Sequence, residues 1–179
     1  MLYAIRSSEG SRIFLISVVM AICIVAMPLR VLSQEVETKI YIVRHAEKLD
    51  NSADSPLSQA GVERAQKLAH VLKEASITSI FVSNRLRTQQ TAAPTAEVFG
   101  IVPKRIGNAA NVADAILSDE LGGQILVVGH SESLDDIAAG LGVNGIPELK
   151  QKEYDRFFLV HMIGGEVYLH TLRYGEPTE

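Results

Sequence analysis

Apolar residues fall along this chain in two rhythms. Short, nearly unbroken runs at residues 40–43 and 124–128 predict strands, and runs of that kind belong to strands covered on both faces; the more mixed segments 77–83 and 102–106 also predict strands. Between residues 43 and 77, the spacing becomes helical. Val62, Ala65, Ala69 and Leu72 recur at steps of three and four, which predicts a helix opened by Ser58 and ending near Ala75. Ser83 is placed to cap a second helical segment carrying Arg87, Thr91, Ala92 and Ala93, with a kink at Pro94. Shorter helices are predicted at 112–117 and at 133–141, the latter stopped by Gly142, with a turn at Gly122 and Gly123 before the strand at 124–128. The pattern then changes. Residues 157–162 and 166–173 alternate on either side of Ile163, Gly164 and Gly165, as the arms of an antiparallel hairpin do. Strands alternating with helices, followed by a hairpin, predict a three-layer α/β/α sandwich with a mostly parallel central sheet and an antiparallel C-terminal edge hairpin.

Residues 1–33 have a different character. Arg6 and Arg12 precede an apolar stretch, residues 13–27, broken only by Ser17, and Pro28 and Arg30 follow it. Fifteen helical residues reach about 22 Å, short of a hydrocarbon core of about 30 Å. The stretch therefore reads as an export signal, with cleavage after Val31, Leu32 and Ser33, before Gln34. An uncleaved anchor is the alternative, and a membrane enters only in that case. The expectation is one domain, residues 34–179, in the periplasm or secreted.

Setting aside Arg6, Arg12, Arg30 and Glu9 leaves 14 basic and 20 acidic residues in 34–179, a formal net charge of −6. Such a surface repels nucleic-acid phosphates, so an anionic ligand needs a local cluster of arginines to hold it. Cys23 is the chain's one cysteine and lies in the apolar stretch, so residues 34–179 form no disulfide and no thiolate metal site.

The candidate chemistry sits at strand ends. Arg44 and His45 close the run at 40–43, Arg87 follows the second strand, and Gly129, His130 and Ser131 follow the strand at 124–128. In mostly parallel sheets, ligands bind beyond the carboxyl ends of the strands. A neutral imidazole can attack phosphorus, and a guanidinium can hold two phosphate oxygens through its planar fork. Two histidines and two arginines at one edge repel one another when charged, and an anion between them removes that cost.

These residues also resemble the histidine phosphatase superfamily, in its phosphoglycerate mutase-like branch. The resemblance rests on Arg44-His45 with Glu47, on Pro56-Leu57-Ser58 with Gly61, on Ser83 with Arg87, Thr88, Gln90, Thr91 and Ala92, and on Gly129-His130-Ser131. It implies that His45 is the nucleophile that becomes phosphorylated, and that Arg44, Arg87 and a protonated His130 bind the phosphoryl group. Asn51 and Ser131 are implied as further substrate contacts. Glu47 and Glu132 are candidate proton donors, Glu47 having a second role open to it in pairing with Lys48 or bracing Arg87. The family usually has glycine where this chain has Ala46, which would hold the backbone slightly farther from the phosphate.

The expected activity is hydrolysis of a phosphomonoester, without metal or other cofactor, because the arginines supply the positive charge. The partner is a small phosphorylated substrate or a phosphoprotein. Residues 102–119 are expected to supply lid and pocket. Two rival readings remain open in the sequence: a serine hydrolase using Ser131, whose surroundings approach a nucleophile elbow, and a non-catalytic phosphate-binding module. A metal site built on His45 and Glu47 with His130 and Glu132 is opposed by the neighbouring guanidinium.

Overall fold

The computed structural model describes residues 35–178. The predicted export signal and its cleavage point before Gln34 lie outside them. No helix among the described residues is long and apolar enough to cross a membrane.

Six strands form one sheet in the order β3-β2-β4-β1-β5-β6. They are β1 (Thr38–Arg44), β2 (Ser79–Val82), β3 (Lys104–Arg105), β4 (Gln124–Gly129), β5 (Arg156–Ile163) and β6 (Glu166–Arg173). The first four run parallel, and β5 and β6 form an antiparallel hairpin on the β1 side, as the sequence pattern predicts. Four helices cover the sheet: α1 (Gln59–Leu72), α2 (Leu86–Phe99), α3 (Ala109–Asp119) and α4 (Ser131–Gly140).

Strand periodicity divides the core in two. Ile40 and Ile42 of β1 and Ile125 and Val127 of β4 pack with Val112 and Ile116 of α3 and Leu134 and Ile137 of α4. Tyr41, Val43, Leu126 and Val128 point the other way, onto Leu68 and Leu72 of α1 and Ala92 and Ala96 of α2. Three layers result, and the central strands are apolar on both faces.

Several boundaries differ from the sequence reading. In α1 the buried face is Gly61, Arg64, Ala65, Leu68, Ala69 and Leu72, while Val62 is exposed. The apolar stripe is rotated because a buried arginine, invisible to a hydrophobic count, shares it. Ser83 is not the cap of α2; Arg85 holds that place, and the helix runs unbroken through Pro94. Residues 102–119 are mostly fold and not lid, since they form β3 and α3, and Val112, Ala113 and Ile116 are core. Ile106, Gly107, Asn108, Ala109 and Val112 among them line cavities next to Ser83 and His130.

Candidate active site

The strand register dictates the site. Arg44 pairs with Gly129 across β1 and β4, and Val82 pairs with Val128 across β2 and β4. The residues that follow, His45, His130 and Ser83, therefore arrive side by side at the carboxyl edge of three adjacent parallel strands. The backbone N–H of His45 donates to Gly129 O at 2.9 Å, and the two imidazole centroids lie 5.3 Å apart. Helices α2 and α4 both start here, with Arg85 and His130 as their caps. Their N-terminal dipoles favour negative charge at the same edge.

His45 is 4% exposed. Its Nδ1 lies 2.8 Å from Ala46 O, and a carbonyl only accepts, so Nδ1 carries the proton and Nε2 keeps the lone pair. Burial pushes its pKa down to about 3, opposed by the Ala46 carbonyl and assisted by the positive charge of Arg44 and Arg87 and by His130. The ring is neutral at pH 7, with its lone pair on Nε2.

Arg44, 7% exposed, is gripped on one side only. Its Nη1 donates to the carbonyls of Lys150, Gln151 and Glu153 at 3.2, 3.0 and 3.3 Å, and its guanidinium lies 4.4 Å above the Tyr154 ring. Arg87 reaches Ala53 O through Nη1 at 3.1 Å and His130 Nδ1 through Nη2 at 3.3 Å. The Nε atoms of both arginines are buried with no hydrogen-bond partner among the described residues. Two orphaned cationic donors beside a neutral imidazole are open to an anionic acceptor.

His130 departs from expectation. Because Arg87 can only donate, Nδ1 accepts, so Nε2 carries the proton and donates to Ser83 Oγ at 2.8 Å. Burial and the charges of Arg87, Arg85 and Arg44 lower its pKa against the pull of Glu132. His130 is thus neutral in this arrangement, not protonated, because it faces cations in a dry setting. The sequence offers Ser83, whose Oγ also meets Thr88 Oγ1 at 2.9 Å, as a cap and as part of the resemblance, without the contact to His130 that the structure gives it.

Glu47 braces neither Lys48 nor Arg87. Arg64 donates through Nε to both its carboxylate oxygens, at 2.9 and 3.0 Å, and Nη2 lies 2.8 Å from Oε1. Arg64 also holds Tyr174 O and Glu176 O at 3.0 and 2.9 Å, so Glu47 belongs to a buried clamp. Gly61 lets α1 close onto this loop: a Cβ there would lie 2.3 Å from Glu47 O. Glu132 is exposed at the mouth, in a hollow shared with Ser83, Arg85, Arg87 and His130. Burial works the other way, but hydrogen bonds from its own backbone and Ser131, with His130 and Arg87 nearby, hold its carboxyl below the usual range.

Asn51 is exposed and lies 3.5 Å from Lys48 Nζ. It lines a cleft of about 780 Å3 together with Arg44, Lys48, Lys152, Tyr154 and Thr178. Ser131 Oγ donates to Glu132 at 3.1 Å, and no histidine is among its hydrogen-bond partners, which leaves it without the base an elbow serine needs. The Ala46 methyl packs with Leu57 and Ala65, and its N–H donates to Thr91 Oγ1 at 2.9 Å. The methyl thus fills a small apolar cluster instead of crowding the site. No group of three or more His, Cys, Asp or Glu among the described residues is arranged to hold a metal ion.

The fold and this edge define an α/β protein that gathers a neutral histidine and two arginines at the carboxyl ends of its parallel strands. Residues 40–108 match the family model described as histidine phosphatase superfamily (branch 1). Over that segment the chain is similar to the superfamily, and the curated relative that matches there is phosphoglycerate mutase-like. It is similar to the Yersinia pestis (strain Pestoides F) protein named "Probable phosphoglycerate mutase GpmB", 39% identical over 70 residues that cover 35% of this chain and 33% of that one. The match thus spans about a third of the length of that curated relative. Among solved structures, mycobacterial hydrolase 1 superposes with a TM-score of 0.60 at 16% identity, covering 79% of this chain and 99% of the other. The protein histidine phosphatase SixA complexed with tungstate gives 0.57 at 20% identity, covering 75% and 96%. A phosphoserine phosphatase from Entamoeba histolytica gives 0.55 at 16%, covering 74% and 94%. At these identities the structures speak for the fold.

Proposed function

We propose that residues 34–179 form an exported, metal-independent phosphomonoester hydrolase acting through a phosphohistidine on His45. One observation carries the reading: His45 donates through Nδ1 to Ala46 O, which leaves a nucleophilic Nε2 beside the buried, unpartnered Nε donors of Arg44 and Arg87. In the first step Nε2 attacks phosphorus, the ester P–O bond breaks, and the leaving oxygen takes a proton. In the second, water attacks the phosphohistidine, the P–N bond breaks, and inorganic phosphate leaves with His45 neutral again. Arg44 and Arg87 neutralise the charge that spreads over the equatorial oxygens, each worth about 3 to 4 kcal/mol in a dry site. His130, neutral and tethered by Ser83, faces the phosphoryl group from the other strand.

Of the two acids considered, Glu132 is the better proton carrier, because Glu47 has both oxygens occupied by Arg64. Ionised Glu132 serves as base for the hydrolytic water and returns that proton to the next leaving group. The open cleft beside Arg44 admits the alcohol portion of a small phosphorylated metabolite or a phosphoprotein side chain. Phosphoserine is a fitting first ester candidate, since the name of a structural neighbour points to it; phosphohistidine, pointed to by another, would react by breaking its P–N bond, with the proton going to the leaving imidazole nitrogen.

The test is turnover of para-nitrophenyl phosphate in excess chelator, with trapping of an acid-labile phosphoenzyme. Wild type should turn over and label, and His45→Ala should do neither. A labelled His45→Ala protein, or activity abolished by the chelator, would sink the mechanism. A wild-type protein that binds phosphate without turnover would instead be a binding module.

A further inference from the structure

The segment after β6 enters the site without carrying any of its recognised chemistry. Because β5 runs antiparallel to β1, with Val43 opposite Phe157, the residues just before β5 arrive at the carboxyl edge of the parallel strands. Because β6 runs antiparallel to β5, with Arg173 opposite Arg156, the residues just after β6 arrive at the same edge. Residues 150–155 and 174–178 are therefore neighbours. Arg64 anchors the second group through Tyr174 O and Glu176 O, and Tyr174 N–H donates to Asp155 O at 2.9 Å.

Thr178 joins the two. Its Oγ1 accepts from the backbone N–H of Tyr154 at 2.9 Å and of Asp155 at 3.3 Å, and donates to Asp155 Oδ1 at 2.8 Å. Asp155, 1% exposed, is held from its other side by Arg173 at 2.8 and 2.7 Å. Tyr154 carries this fixation into the site: its ring lies 4.4 Å beneath the Arg44 guanidinium and 6.0 Å from the His45 ring. The turn that Thr178 pins also supplies the three carbonyls that hold Arg44 Nη1. Freed from that turn, Arg44 would no longer aim its buried Nε at one point.

We propose that Thr178 is a positioning residue for phosphoryl binding: its hydroxyl fixes the Tyr154–Asp155 backbone, and through the Tyr154 ring and the turn carbonyls it sets the angle of Arg44. The inference rests on the phosphate-binding role given to Arg44 above. It assigns specificity for the tetrahedral anion to a residue far from every recognised motif.

The measurement is the inhibition constant of inorganic phosphate, a quantity independent of how much enzyme is active, together with direct calorimetric titration of phosphate. Thr178→Val keeps the shape and removes the hydroxyl, Thr178→Ser restores it, and Tyr154→Leu removes the stacking ring while leaving the backbone hydrogen bonds. The valine and leucine variants should each bind phosphate about tenfold more weakly, the serine variant within about twofold of wild type. A purely structural role would lower the thermal midpoint or the active fraction and leave the phosphate constant unchanged, and that result would overturn the proposal. If Thr178→Val does not fold, Tyr154→Leu decides alone. Wild type binding phosphate while the variants match it refutes this inference only; wild type failing to bind phosphate refutes the function on which it rests.

Discussion

Replacing Arg64 with methionine removes a cation that the sequence places on an ordinary helix and the structure buries to 4% exposure. In the native protein its three nitrogens make five close contacts. Nε meets both Glu47 oxygens at 2.9 and 3.0 Å, Nη2 meets Glu47 Oε1 at 2.8 Å and Glu176 O at 2.9 Å, and Nη1 meets Tyr174 O at 3.0 Å. Methionine fills much of the volume but donates nothing, so a carboxylate and two carbonyls lose their partners. Breaking a buried pair by removing one member typically costs about 3 to 5 kcal/mol. The Glu47 side chain is 20% exposed and can recover some water, so the lower end applies, about 3 kcal/mol. For a domain of this size that is a large part of a total stability of about 5 to 15 kcal/mol. With a urea slope of about 2 kcal/mol per molar, the unfolding midpoint should fall by about 1.5 M, read by far-ultraviolet circular dichroism. A double-mutant cycle with Glu47→Gln isolates the pair: the double variant should lose distinctly less than the sum of the single losses. A loss below about 1 kcal/mol in Arg64→Met, or strict additivity in the cycle, would refute the view that this clamp holds the nucleophile loop to α1.

Three further outcomes follow from the same geometry. Gly61→Ala pushes a methyl to 2.3 Å from the Glu47 carbonyl oxygen, a backbone atom that can move only by shifting the loop, so it should cost about 1 to 3 kcal/mol and depress turnover; unchanged midpoint and rate would contradict the close approach. Ser83→Ala removes the acceptor of His130 Nε2–H, and nitrogen chemical shifts of His130 should report a changed tautomer balance alongside a rate loss of about fivefold, whereas an unaltered spectrum would show that Arg87 alone sets the ring. His45 sits at about 3 when folded against an ordinary value of 6.5, so the unfolded chain binds the extra proton between those values and stability must fall as pH drops through that window. The slope reaches about 1.4 kcal/mol per pH unit for this one group, lowered His130 acts in the same direction, and His45→Gln should flatten the urea midpoint between about pH 6 and 4.5; an equal slope in the variant would deny the shift.

The amino-acid order alone determined the scaffold and the chemical poles. Residues 40–43 and 124–128 are apolar throughout because parallel strands covered by helices on both faces leave no polar side, so their burial is written into a local pattern. Arg44, His45 and His130 were legible as candidates because they stand at or just past the ends of such strands, and Arg87 because it opens the helix that follows β2. What pairs with what was decided only by the tertiary arrangement. The order β2-β4-β1 makes Ser83 a neighbour of His130, Arg64 turns inward to Glu47, and two antiparallel turns bring Thr178 beneath Tyr154. A helical period records how many faces are apolar, and it cannot tell a buried, fully paired arginine from a solvated one, which is why Val62 was expected inside and Arg64 was not. Hydrogen bonds between residues 17 to 112 positions apart leave no period in the chain, and in this protein such bonds aim the arginines and choose the protonated nitrogen of His130.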